Sequence, residues 1–154
     1  MPIQLKAISV DDLTPVEQQS ILSHAVDLHL VGSDDADSVG FDIVGNRSTK
    51  VSHLLRALDG DKSVGIAYVL PVASAKDLLE ITVLIFPEHR GKHYMASLVS
   101  AVETLLEKQK ESSHLLLGAA VHEHNPMRKE LTDFLLRHGY DFSSEHRMFV
   151  KRLA

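Results

Sequence analysis

The sequence predicts an α/β fold: a mixed, mostly antiparallel central sheet of six to seven strands flanked by about four helices, in one domain covering residues 1–154. Three observations carry that expectation. Apolar runs of strand length, bounded by Gly, Pro and Asp, are interleaved with longer stretches whose apolar residues recur at helical spacing. Asp59-Gly60-Asp61 joins two of the runs as a tight hairpin, which makes them antiparallel neighbours. In the second half, helices separate consecutive strands, so crossovers replace hairpins and the sheet becomes mixed.

The stretch "IQLKAISV" alternates apolar and polar residues and reads as the first strand. In "TPVEQQSILSHAVDLHL", Thr14 is an N-cap, Pro15 suits the first helical position and Glu17 completes a capping box, ahead of Ile21, Ala25 and Leu28 at helical spacing. Residues 32–49 hold three glycines and four aspartates with no sustained period, and read as a long loop. "VSHLLRALDGDKSVGIAYVLPV" is the hairpin. "DLLEITVLIF" is nearly apolar throughout, as a central strand covered on both faces should be. Met95, Leu98, Val99, Val102, Leu105 and Leu106 then mark the main helix, from about Tyr94 to Gln109. "HLLLGAAV" is another buried strand. The last helix has Asn125 as N-cap, Pro126 at its first position, a stripe of Met127, Leu131, Phe134 and Leu135, and Gly139 at the C′ position. "YDFSSEHRMFVKRL" supplies one or two closing strands.

Composition narrows the function classes. A formal net charge of -5, from 16 basic and 21 acidic residues, lacks the general attraction to a polyanion, so nucleic acid is not expected as a partner. No cysteines are present, which removes disulfides, thiolate nucleophiles and cysteine-ligated zinc. Of the ten histidines, His122 and His124 in "HEH" fall on one side of a strand with no evident third ligand, so no metal site is expected. There is no apolar run long enough for a membrane span and no basic flank leading into an apolar N-terminal segment; the reading is a cytoplasmic protein without a membrane partner.

The densest chemistry lies in "FPEHRGKHYMASL", residues 86–98, where Arg90, Gly91, Lys92 and His93 stand between a strand and a helix. A helix N-terminus presents unpaired N–H groups and a partial positive charge, and a glycine there lets the backbone approach a pyrophosphate closely. On the residues alone, a phosphate site and a plain turn with two solvated cations both remain open. The longer stretch "VLIFPEHRGKHYMASLV", with the later Asn125-Pro126 and "LLRHGYDF", resembles the GNAT superfamily of N-acetyltransferases, which move an acetyl group from acetyl-CoA to an amine. That resemblance implies acetyl-CoA as cosubstrate. Its pyrophosphate would rest on the turn from Gly91 through Lys92, His93, Tyr94 and Met95 to Ala96, beside Arg90. The pantetheine arm would pair with the backbone at Val83, Leu84 and Ile85, and Asn125 joins the coenzyme contacts. The chain departs from the family pattern at His93, which stands where a glycine belongs, and at Met95, which takes a Gly/Ala position. His93 either narrows the pyrophosphate approach with its Cβ or donates a hydrogen bond to a phosphate.

Acetyl transfer needs a deprotonated amine, a polarised thioester carbonyl and a proton for the departing thiolate. Glu80 is the first candidate base: it is the one ionised residue in "LLEITVLIF", and the resemblance places a glutamate about this far before Arg90. A carboxylate merely starting a strand at a sheet edge would look the same. Glu123 is a second candidate, working through a water. The acid is missing, because the position where the family carries a tyrosine holds Leu135 or Thr132. Tyr94 and Tyr140 are the nearest phenols in sequence, and Tyr140 is expected to pack as a core aromatic. Asp34, Asp35, Asp37 and Asp42 stand where the family's acceptor cleft would be bordered, and either concentrate a cationic amine or form a solvated loop. Two functions follow: an N-acetyltransferase acting on a small molecule or a protein amino group, or a weak or inactive protein of the same fold that works by binding a protein partner. A homodimer is compatible with either.

Overall fold

The computed structural model describes residues 3–27, 52–72, 75–90, 94–109, 114–121 and 127–153. Seven strands and three α-helices run in the order β1 (Gln4–Ala7), α1 (Pro15–Asp27), β2 (His53–Asp59), β3 (Lys62–Pro71), β4 (Leu78–Ile85), α2 (Tyr94–Gln109), β5 (Leu116–Ala119), α3 (Arg128–Arg137), β6 (Asp141–Ser143) and β7 (Met148–Arg152). Short 3-10 turns occupy Val10–Asp12 and Pro87–His89. All seven strands form one sheet in the order β1-β2-β3-β4-β5-β7-β6. Among the described residues only β4 and β5 pair in parallel, and the other pairings are antiparallel. The mixed, mostly antiparallel sheet is therefore as expected, with one α-helix fewer among the described residues than the expected four. The acidic stretch 32–49 lies outside the described residues.

Helix α1 starts where its capping box requires. The Thr14 amide donates to Glu17 Oε1 at 2.9 Å and the Glu17 amide to Thr14 Oγ1 at 3.1 Å, so two otherwise orphaned donors are satisfied reciprocally. Glu17 is also buried, at 2% exposure, and accepts two bonds from Arg56 on β2, Nε to Oε2 and Nη2 to Oε1, both at 2.8 Å. One carboxylate thus caps a helix and ties it to the sheet. Burial acts to raise the Glu17 pKa, but the Arg56 hydrogen bonds and the Thr14 amide outweigh it and hold the carboxyl below its ordinary 4.5.

Alternation along β4 divides the core in two. Ile81 and Ile85 join Leu55, Ala67 and Val69 beneath Leu98, Val102 and Leu106 of α2. Leu84 joins Ile66, Phe86 and the Leu13 and Ile21 side chains of the α1 region on the other face. The apolar character expected of a strand covered on both sides is what both clusters require. All six stripe residues of α2 are buried or half-buried. Helix α3 differs from expectation at its start: it begins at Arg128 with Met127 as N-cap, making no side-chain cap, and Met127 is 53% exposed rather than part of the apolar stripe. Asn125 and Pro126 lie outside the described residues. Gly139 takes φ 90 after the helix, as the C′ position favours.

β3 and β4 are forced unusually close at Gly65. Ala57 pairs with Gly65 and Leu58 with Ser63, leaving Val64 as the extra residue of a bulge. A Cβ on Gly65 would stand 2.3 Å from the Leu84 carbonyl oxygen, a backbone atom held in the ladder. Gly65→Ala should lower stability by about 1–3 kcal/mol, read as a lower urea midpoint with an unchanged slope. The Glu17 pair carries a pH signature. Because its folded pKa is depressed, its contribution is complete above the ordinary 4.5 and is lost as pH falls through the lower folded value. Glu17→Gln should therefore be less stable than wild type at neutral pH, with the gap closing as the pH falls below 4.5. Chemical denaturation across that range measures it.

Candidate active site

The parallel pairing of β4 with β5 runs through Leu78↔Leu116, Leu79↔Leu117 and Glu80↔Gly118, then stops. β4 continues to Ile85, whereas β5 ends at Ala119, so the strands part beyond Glu80. The fork has a readable polarity. Phe86 N donates to Val64 O and Val72 N to Leu78 O, each at 3.0 Å, so the even-numbered residues of β4 turn their backbone groups to β3. By alternation, Val83 and Ile85 turn theirs towards the parted side, with no strand opposite them among the described residues. Leu84, by contrast, belongs to the β3 ladder.

At the end of this edge, Arg90 Nε donates to the Ile85 carbonyl at 3.1 Å. Its exposed guanidinium therefore sits where β4 leads into α2. His89, one residue earlier, is 8% exposed and its Nδ1 has no hydrogen-bond partner among the described residues, while its ring meets Tyr94 edge-on at 6.1 Å between centroids. Tyr94 and Met95 open α2 with their side chains in or against the core beneath the sheet, and Ala96 is half-buried beside them. The Tyr94 hydroxyl donates to Asp59 Oδ2 at 2.6 Å, fastening the helix start to the β2–β3 hairpin. That hydrogen bond, with burial and the Asp59 charge, raises the Tyr94 pKa. Gly91, Lys92, His93, Glu123 and Asn125 lie outside the described residues.

Glu80 stands on β4, the fourth of seven strands and so not at a sheet edge, at the last residue pair before the fork. Its side chain is half-buried, on the face of Thr82, Leu84 and Tyr68. Its partner Gly118 carries no side chain there; a Cβ would meet Met148 Sδ at 2.3 Å. Tyr140 is the core aromatic expected, 1% exposed, with its hydroxyl on Glu103 Oε2 at 2.6 Å and Lys151 Nζ 5.6 Å above its ring. Burial, then the Glu103 hydrogen bond and charge, push its pKa well up.

Sequence reasoning passed over Tyr68, Asp59 and His89. Asp59 reads as a turn residue and Tyr68 as one aromatic in an apolar strand; only the β3–β4 register, Tyr68↔Thr82 and Leu70↔Glu80, sets the phenol beside the carboxylate.

No protein-family model and no curated protein sequence matches the chain. Solved structures do. PaiA N-acetyltransferase from Thermoplasma acidophilum, in complex with coenzyme A, is similar at 16% identity over 99% of each chain, with a TM-score of 0.67. AAC(6')-Ib, in complex with ribostamycin and coenzyme A, aligns with 99% of this chain and 94% of its own at 14% identity and a TM-score of 0.71. Spermidine N-acetyltransferase from Vibrio cholerae, in complex with CoA and spermine, aligns over 97% and 92% at 15% identity and a TM-score of 0.64. The chain has the fold of the GNAT N-acetyltransferases.

Proposed function

We propose that this chain transfers an acetyl group from acetyl-CoA to an amine. The observation that carries the reading is the fork: a strand whose Val83 and Ile85 backbone groups have no strand opposite them among the described residues, followed in the chain by the Pro87–His89 turn and then the N-terminus of α2. An extended pantetheine arm supplies amide groups that pair with such an edge. The helix start then offers N–H groups to the pyrophosphate, with Arg90 and Lys92 adding charge, the His93 imidazole donating a hydrogen bond to a phosphate and Asn125 a further contact. Three neighbours of the same fold bind coenzyme A, two of them with an aminoglycoside or a polyamine, which supports a cationic amine as acceptor.

Glu80 sits where a base is useful. At the mouth of the fork and half-buried, it can take a proton from the incoming ammonium, leaving the lone pair to attack the thioester carbon. A backbone N–H on the parted edge of β4 would meet the carbonyl oxygen as charge builds on it. Glu123 is the alternative base, acting through a water.

Two measurements test this. Acetyl-CoA at one hundred times its dissociation constant should stabilise the protein by about 2.7 kcal/mol, seen as a thermal shift; no shift at millimolar coenzyme would sink the site. With spermine or an aminoglycoside as acceptor, Glu80→Gln should cut kcat by about 10²–10⁴-fold while leaving the coenzyme Kd near wild type. Equal kcat in the variant would move the base elsewhere, and tight coenzyme binding without turnover of any amine would favour the protein-binding alternative.

A further inference from the structure

Acetyl transfer leaves one proton to be found, the one that neutralises the departing thiolate. The chain has three tyrosines. Tyr94 and Tyr140 are each bonded to a carboxylate, Asp59 and Glu103, at 2.6 Å. The third is Tyr68, on β3 directly opposite Thr82 and one pair removed from Leu70↔Glu80. Since β4 and β5 part after Glu80, Thr82 stands on β4 beside the open fork, and Tyr68, paired with it from β3, shares its face of the sheet.

The surroundings of this phenol are distinctive. Its ring packs against the cluster of Leu13, Ile21, Ile66, Leu84 and Phe86. The polar side chains that act on its hydroxyl are Thr82 and Glu80. Of the other ions on this face among the described residues, Arg56 and Glu17 are bound to each other, and the register sets Lys6 and Arg152 on the same face. Burial raises the Tyr68 pKa against the opposing Thr82 hydrogen bond, and the Glu80 charge adds a smaller rise. The phenol therefore keeps its proton at neutral pH.

We infer that Tyr68, with the Thr82 hydroxyl beside it, donates the proton to the thiolate leaving from the β4–β5 fork. The inference rests on the acetyl-transfer reading. The proton count closes with two residues and water. Glu80 takes one proton from the ammonium, the amine nitrogen bonds to the acetyl carbon, and the carbon–sulfur bond breaks with its electron pair going to sulfur. Tyr68 gives its O–H proton to that sulfur. Protonated Glu80 then returns a proton to the phenolate, and the second ammonium proton leaves to water. A carboxylate that both accepts from the amine and recharges the acid explains why the phenol and Glu80 share one face of the sheet.

The test needs no acceptor. A hydroxyl that protonates the thiolate also stabilises it by hydrogen bonding, so it lowers the pKa of the thiol of bound coenzyme A. That pKa is read from the ultraviolet absorbance of the thiolate, with desulfo-coenzyme A as blank, while calorimetry gives the Kd. In Tyr68→Phe the bound thiol should titrate at least about one unit higher than in wild type, a tenfold change in the ionisation constant, with the neutral-pH Kd within about twofold. Tyr140→Phe, which alters a phenol bonded to Glu103 on α2, should leave the thiol at the wild-type value. Equal thiol pKa values in wild type and Tyr68→Phe would overturn the inference and leave coenzyme binding standing. If wild type binds no coenzyme A, the acetyl-transfer reading and this inference fall together. Should Tyr68→Phe lose the coenzyme, Thr82→Val decides: a smaller rise supports the assignment, and an unchanged thiol overturns it.

Discussion

The parallel ladder between β4 and β5 is three residue pairs long, and much of the candidate site follows from where it ends. On its other side β4 is paired with β3 over seven positions, so the strand is rigid and its backbone direction is set throughout. A strand bonded fully on one edge and briefly on the other leaves amide groups in the middle of a sheet, where an unsatisfied polar group is costly. Arg90 takes one of them, the Ile85 carbonyl, with its own side chain. The rest of the edge has no strand opposite it among the described residues and is where the proposed pantetheine pairing would form.

Three polar ties hold the frame around that opening, each at a point where an apolar contact would leave direction unspecified. Glu17 and Arg56 fasten α1 to β2, using a carboxylate that already caps the helix. Asp59 receives the Tyr94 hydroxyl and so links the β2–β3 hairpin to the first residue of α2. Glu103 on α2 collects Tyr140 and Lys151 from the chain after α3 and from β7. The second and third ties both act on α2. Its N-terminus is thereby positioned relative to the end of β4, which is the relation a ligand spanning strand edge and helix start depends on.

These ties also change the roles of the phenols. In the linear sequence Tyr94 stands inside the candidate coenzyme turn and Tyr140 beside the closing helix, so both invite a chemical role. In the folded chain their hydroxyls are committed to carboxylates, and Tyr68, which looks like an ordinary strand aromatic, is the one paired with Thr82 and next to Glu80 on one face of the sheet.

Local chemistry made much of the architecture legible. Thr14-Pro15 with Glu17 marked the start of α1, the six apolar residues from Met95 to Leu106 marked α2 and its buried side, and Asp59-Gly60-Asp61 marked the hairpin. Those signals are legible because capping, helical periodicity and tight turns act between residues a few positions apart. The sequence by itself also set Glu80 in an apolar strand and a glycine between cations ahead of a helix. What only the tertiary structure decided was pairing across the sheet: that β4 meets β5 for three residues and then leaves it, that Arg56 reaches Glu17, and that Tyr68 lies opposite Thr82. Register and divergence depend on how two faces of a strand pack simultaneously against distant elements, and no local spacing encodes that.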